Sequence, residues 1–116
     1  MSEKKAHKVL VVEDVDEISS NMAAALKKRG HEVQRVSNAD EAIKVAEASR
    51  PAMILTDLDL PTFERLLELL REHANLKNMV VAIIDINQTE VEEKRVNVLR
   101  DFQALDDLIE ASQDAT

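Results

Sequence analysis

The sequence predicts an α/β fold built on a central parallel sheet. Three observations carry that prediction. Short β-branched apolar runs alternate with amphipathic helical stretches along the chain. The runs are continuously apolar, as strands covered on both faces are. Two of them end in carboxylates, and parallel α/β sheets place their chemistry at the carboxyl ends of strands.

The elements follow in order. Val9-Leu10-Val11-Val12 reads as a buried strand. From about Asp16 to Arg29 the spacing predicts a helix, with Ile18, Met22, Ala25 and Leu26 on one face. Gly30, the lone glycine, stops it with a left-handed cap. Val33 and Val36 mark a short polar strand that reads as a sheet edge. Asn38 and Glu41 form a capping box, opening a helix that runs to about Ser49 with Ile43, Val45 and Ala46 along its apolar stripe. Pro51 restarts the chain into Met53-Ile54-Leu55, a buried strand ending at Thr56-Asp57. Thr62 to His73 reads as a helix rich in leucine (Leu66, Leu67, Leu69, Leu70). Met79 to Ile84 is the most apolar strand, Val96 to Leu99 the last strand, and Phe102 to Ala111 a closing helix. Right-handed crossovers then put helices on both faces.

Composition bounds the function. The 116 residues suit one domain, 1–116, with its core at about 7–111. No apolar run is long enough to span a membrane, and the polar N-terminus lacks a signal-peptide core, so a cytoplasmic protein is expected. Without cysteine there is no disulfide and no thiolate metal site. A net charge of −8 argues against nucleic-acid binding and, with no basic run, against a membrane surface. Phe63 and Phe102 are the only aromatic residues apart from histidine, leaving little to stack on bases or flat cofactors. A single glycine excludes a glycine-rich phosphate loop.

The acidic residues are the candidate site. Glu13 and Asp14 end the first strand; Asp57 ends the third, with Asp59 two residues on. If those strands are neighbours, the carboxylates converge at one edge. Carboxylates so close repel unless a cation joins them, and a hard divalent ion such as Mg²⁺ suits oxygen donors. One carboxylate could then act as a nucleophile toward a phosphoryl group. His7, His31 and His73 are far apart in sequence and read as scattered surface histidines. Glu90 to Arg95 reads as a solvated charge run.

Lys8-Val-Leu-Val-Val-Glu-Asp14 and Pro51-Ala-Met-Ile-Leu-Thr-Asp57-Leu-Asp-Leu-Pro61 resemble the two signature segments of receiver domains of bacterial response regulators. The similarity extends through Leu99-Arg100-Asp101-Phe102. It implies a flavodoxin-like, doubly wound five-stranded sheet in the order 2-1-3-4-5. It also implies that Asp57 accepts a phosphoryl group from a histidine kinase or phosphotransfer protein. Asp14 and Asp57 would then ligate Mg²⁺ directly, Glu13 through water, and Asp59 through its carbonyl. Pro61 matches the proline that shapes the following loop.

The sequence departs from the family pattern in five places, the first being Thr62-Phe63-Glu64-Arg65, where small residues usually follow the proline. Asp85 falls at the Ser/Thr position after strand four, where an ionised carboxylate cannot donate to a phosphoryl group and repels it. Arg100 replaces the usual lysine after strand five, keeping the charge with a different shape. Asn97 takes the aromatic switch position. Only fifteen steps separate Asp85 from Arg100, so the fourth helix is expected to be reduced or missing, and the sheet it leaves uncovered would favour a homodimer. These features predict a stand-alone receiver with an atypical switch, phosphorylated on Asp57 and signalling to a downstream protein by contact. Asp85 and Arg100 are expected to pair across the pocket and imitate part of an activated state. The alternative is a pseudo-receiver that binds partners or dimerises without phosphorylation. A third reading rests on Asp57-Leu-Asp59-Leu-Pro-Thr62, which resembles the nucleophile motif of haloacid-dehalogenase-type phosphatases. That motif belongs on the first strand of a larger domain, and no enzyme activity beyond the chain's own phosphorylation and dephosphorylation is expected.

Overall fold

The computed structural model describes residues 7–57, 60–76, 79–84, 97–99 and 104–109. Five parallel strands form one sheet: β1 (Lys8–Val12), β2 (Glu32–Val36), β3 (Met53–Asp57), β4 (Val81–Ile84) and β5 (Asn97–Leu99). Their order is β2-β1-β3-β4-β5, as expected. Between them run α1 (Asp16–Lys28), α2 (Ala39–Ser49) and α3 (Leu60–Glu72), and residues 104–109 are helical. The segment expected to hold the reduced fourth helix lies outside the described residues.

The central strands carry continuous apolar runs, Val9 to Val12 and Met53 to Leu55, because both of their faces are covered. Alternate residues of each strand point to opposite faces. Leu10, Val12 and Ile54 join Ala42, Ile43 and Ala46 of α2 and Leu66, Leu67 and Leu70 of α3 on one side. Val9, Val11, Met53 and Leu55 join Met22 and Leu26 of α1 and Leu105 and Ile109 of the last helix on the other. β2 has sheet on one side alone, which fits its polar sequence.

Local signals set the helix ends. Gly30 has φ +92° and its N–H donates to Lys27 O at 3.0 Å, while His31 N–H reaches Leu26 O at 3.1 Å. Together these bonds are a Schellman motif, which satisfies carbonyls at the end of α1. Asn38 Oδ1 accepts from Glu41 N–H at 2.9 Å and caps α2. Glu41 returns its carboxylate to the side chains of Asn38 and Ser37 rather than to the Asn38 backbone of the usual capping box. Arg50 closes α2 in the left-handed region at φ 50°.

Several sequence expectations need correction. α1 buries Ser19, Met22, Ala23 and Leu26, whereas Ile18 is 37% exposed and Ala25 half-buried. Met22 and Leu26 thus face inward as expected, with Ser19 and Ala23 beside them in place of Ile18 and Ala25. α3 begins at Leu60 instead of Thr62, because a proline in the first turn forfeits no intrahelical bond. β4 begins at Val81 instead of Met79, whose N–H turns back to Leu76 O.

Candidate functional site

The carboxyl ends of β1 and β3 meet at the centre of the sheet. β1 pairs with β2 on one side and β3 on the other, so strand order reverses there. Val12 is opposite Thr56, which places Glu13 and Asp57 next in line at the same edge. Asp57 is the last residue of β3 and pairs with Ile84 of β4. A crevice outside such strand ends is where open α/β sheets bind ligands.

Glu13 is buried and held on both sides. Its N–H donates to Val36 O at 3.1 Å, which continues the β1–β2 ladder past the strand end. Its Oε1 accepts from Val15 N–H at 3.1 Å, closing a tight turn over Asp14. Asp14 itself is exposed, so its carboxylate is open to solvent and to a cation. α1 starts immediately afterwards with Val15 as N-cap, which offers no side-chain cap. Asp16 and Glu17 in the first turn complement the helix dipole.

The side chains of the first turn are instead tied to β2. Arg35 Nε donates to Ser19 Oγ at 2.9 Å, and Arg35 Nη2 donates to Asp16 Oδ1 at 2.7 Å. The start of α1 is therefore tied to the carboxyl end of the edge strand. Neither Arg35 nor Ser19 stood out in the sequence, because their partners lie 16 to 19 residues away.

The donor set fits a hard divalent cation. Glu13, Asp14 and Asp57 are carboxylates on adjacent strand ends, and Mg²⁺ prefers oxygen ligands in open, partly hydrated sites. Glu13 and Asp14 are described in full; Asp57 is placed by its backbone. Asp59, Asp85 and Arg100 lie outside the described residues, as does their expected pairing.

A second polar cluster lies at the opposite end of the sheet. His31, expected at the surface, is buried, and its Nε2 faces Asp106 Oδ1 at 2.7 Å. Arg29 Nε donates to Asp106 Oδ2, also at 2.7 Å. A carboxylate oxygen only accepts, so Nε2 carries the proton of this pair. His31 Nδ1 is buried with no partner among the described residues. One signal for this burial was in the sequence: the residue after a Schellman glycine is often turned inward. His73 is half-buried and joins α3 to α2 through Glu47 Oε1 at 3.2 Å. Of the three histidines, then, two make specific contacts with carboxylates.

A parallel sheet in this order, with acids at the β1 and β3 ends, defines a doubly wound α/β domain with an acidic crevice at its topological switch point. The chain belongs to the response regulator receiver domain family, whose model matches residues 9–109. It is 35% identical over 57 residues to the alkaline phosphatase synthesis transcriptional regulatory protein PhoP of Bacillus subtilis. That match spans 49% of this chain and 24% of the relative. The fold is shared with the pseudo-receiver domain of the CikA protein at a TM-score of 0.76 and 20% identity, covering 93% of this chain and 98% of that one. It is shared equally with the receiver domain of sensor histidine kinase PA1611 from Pseudomonas aeruginosa, which has a magnesium ion coordinated in its active-site cleft. There the TM-score is 0.74 and the identity 19%, over 92% of this chain and 97% of that one. Receiver domains are signalling modules of two-component systems, and that is the class of work this chain does. Among the described residues no helix is long and apolar enough to cross a membrane.

Proposed function

We propose that the chain is a phosphoacceptor receiver that takes a phosphoryl group on Asp57 and signals by contact with another protein. The observation that carries this reading is the side-by-side end of β1 and β3, with Glu13 and Asp14 on one and Asp57 on the other. In the transfer, an Asp57 carboxylate oxygen bonds to phosphorus as the bond to the donor's imidazole nitrogen breaks. The leaving imidazole takes a proton from solvent, and water later hydrolyses the acyl phosphate. Mg²⁺, when bound by Glu13, Asp14, Asp57 and Asp59, supplies positive charge against the phosphoryl oxygens. A histidine kinase or phosphotransfer protein is the donor, and a downstream protein reads the result.

The switch is atypical in this reading. Asp85 stands where a hydroxyl would grip the phosphoryl group, and Asn97, in β5 opposite Ala82, stands at the aromatic switch position. An ion pair between Asp85 and Arg100, expected from the sequence, would imitate part of an activated arrangement without phosphorylation. These substitutions also favour the second reading, a pseudo-receiver that binds its partner regardless of phosphorylation.

Incubation with Mg²⁺ and a small phosphodonor, followed by intact-mass measurement, separates the two readings. The first expects a gain of one phosphoryl group that Asp57→Asn abolishes, and a larger or longer-lived gain in Asp85→Thr. No gain with either the phosphodonor or a kinase supports the pseudo-receiver.

A further inference from the structure

We propose that Arg35 is a positioning residue for the acidic site, clamping the start of α1 so that Glu13 and Asp14 are held ready for a cation. The inference rests on the reading of that edge as a Mg²⁺ site.

Two consecutive residues of β2 grip the turn that carries the acids. Val36 O takes the N–H of Glu13 at 3.1 Å, before the turn. Arg35 takes Asp16 Oδ1 at 2.7 Å and Ser19 Oγ at 2.9 Å, after it. Asp14 and Val15 lie between the two grips. The helix has no side-chain cap at Val15, and the Arg35 fork, which only donates, fixes its start by gripping the side chains of Asp16 and Ser19 instead.

The two bonds differ in weight. Asp16 is largely exposed, and an ion pair at such a position contributes little by itself. Ser19 is buried at 3% exposure on the inward stripe of α1, in a place where the helix would otherwise present an apolar residue. Its hydroxyl therefore gives Arg35 a fixed anchor. A planar guanidinium can reach both oxygens at once in a preset geometry, and a lysine cannot.

Electrostatics alone would give Arg35 the opposite effect. A fixed cation near an acidic edge repels an incoming cation. Removing it would tighten Mg²⁺ binding if charge were all that mattered. Positioning predicts the reverse sign.

The test is isothermal titration of the full chain with Mg²⁺, comparing wild type with Arg35→Gln, Arg35→Lys and Ser19→Ala. Each variant is expected to weaken the Kd about three- to tenfold, at or below the lower bound for loss of an outer-shell partner, since Arg35 acts on the turn and not on a ligand itself. Arg35→Lys keeps the charge and is expected to weaken binding like Arg35→Gln. Ser19→Ala leaves every charge in place and provides the same test should Arg35→Gln fail to fold. Amide hydrogen exchange without Mg²⁺ is the companion measurement, expected to be faster over residues 13–19 in the variants and unchanged in β3. An equal or tighter Kd in the variants overturns the proposal, whatever the exchange shows. A wild-type chain that takes up no Mg²⁺ overturns the reading of the site instead. Exchange then decides Arg35's role: acceleration confined to residues 13–19 supports the clamp, and equal rates overturn it.

Discussion

Asp106 shows how much one buried carboxylate can organise. Its side chain is 2% exposed and meets Arg29 and His31, each at 2.7 Å. Removing a carboxylate from water costs several kcal/mol unless its oxygens are well paired. Here Arg29 closes α1, His31 leads into β2, and Asp106 comes from the last helix, so the cluster pins three segments at the end of the sheet away from the acidic site. Asp106→Ala is expected to lower stability by about 3 kcal/mol, because it strands a buried imidazole N–H and a guanidinium. Urea denaturation checks this; a loss below about 1 kcal/mol would mean that water replaces the carboxylate without penalty. The sequence did not disclose this cluster, since His31 and Asp106 are 75 residues apart and nothing local links them. Glu13, Asp14 and Asp57 were legible for the opposite reason. Each sits at the end of an apolar run, and parallel topology alone brings such ends together.

At the scale of elements, the boundaries followed backbone chemistry more closely than apolar count. The end of α1 was readable from Gly30, and the start of α2 from Asn38, because a left-handed cap and a side-chain acceptor have few alternatives. The inward face of α1 was less readable. Ile18 is more apolar than Ser19, yet Ser19 faces inward because Arg35 satisfies its hydroxyl. A partner on another strand overrode the local pattern. Gly30→Ala is expected to cost about 1 kcal/mol, purely through its left-handed backbone. A Cβ there would meet nothing within 4 Å, so no packing loss should be added. Chemical denaturation of that variant should show a lower midpoint with an unchanged slope. A cost of several kcal/mol would point to a steric role that the backbone conformation does not explain.

On the scale of the whole molecule, the sheet separates two kinds of polar work. One end holds the buried Arg29–Asp106–His31 cluster, which fastens the last helix to the fold. The other end carries Glu13, Asp14 and Asp57, with β2 gripping the turn between β1 and α1. Two apolar layers cover the faces between them. A rigid, well-anchored scaffold with its carboxylates at one open edge suits a group that must present an oxygen to an incoming phosphorus. In the proposed function, Asp57 is that group. Phosphorylation with a small phosphodonor and Mg²⁺, then borohydride reduction of the acyl phosphate and peptide mapping, tests it most directly. The expected result is reductive conversion of the side chain at position 57 alone, abolished by chelating the Mg²⁺. Conversion at another carboxylate, or none despite bound Mg²⁺, would contradict it.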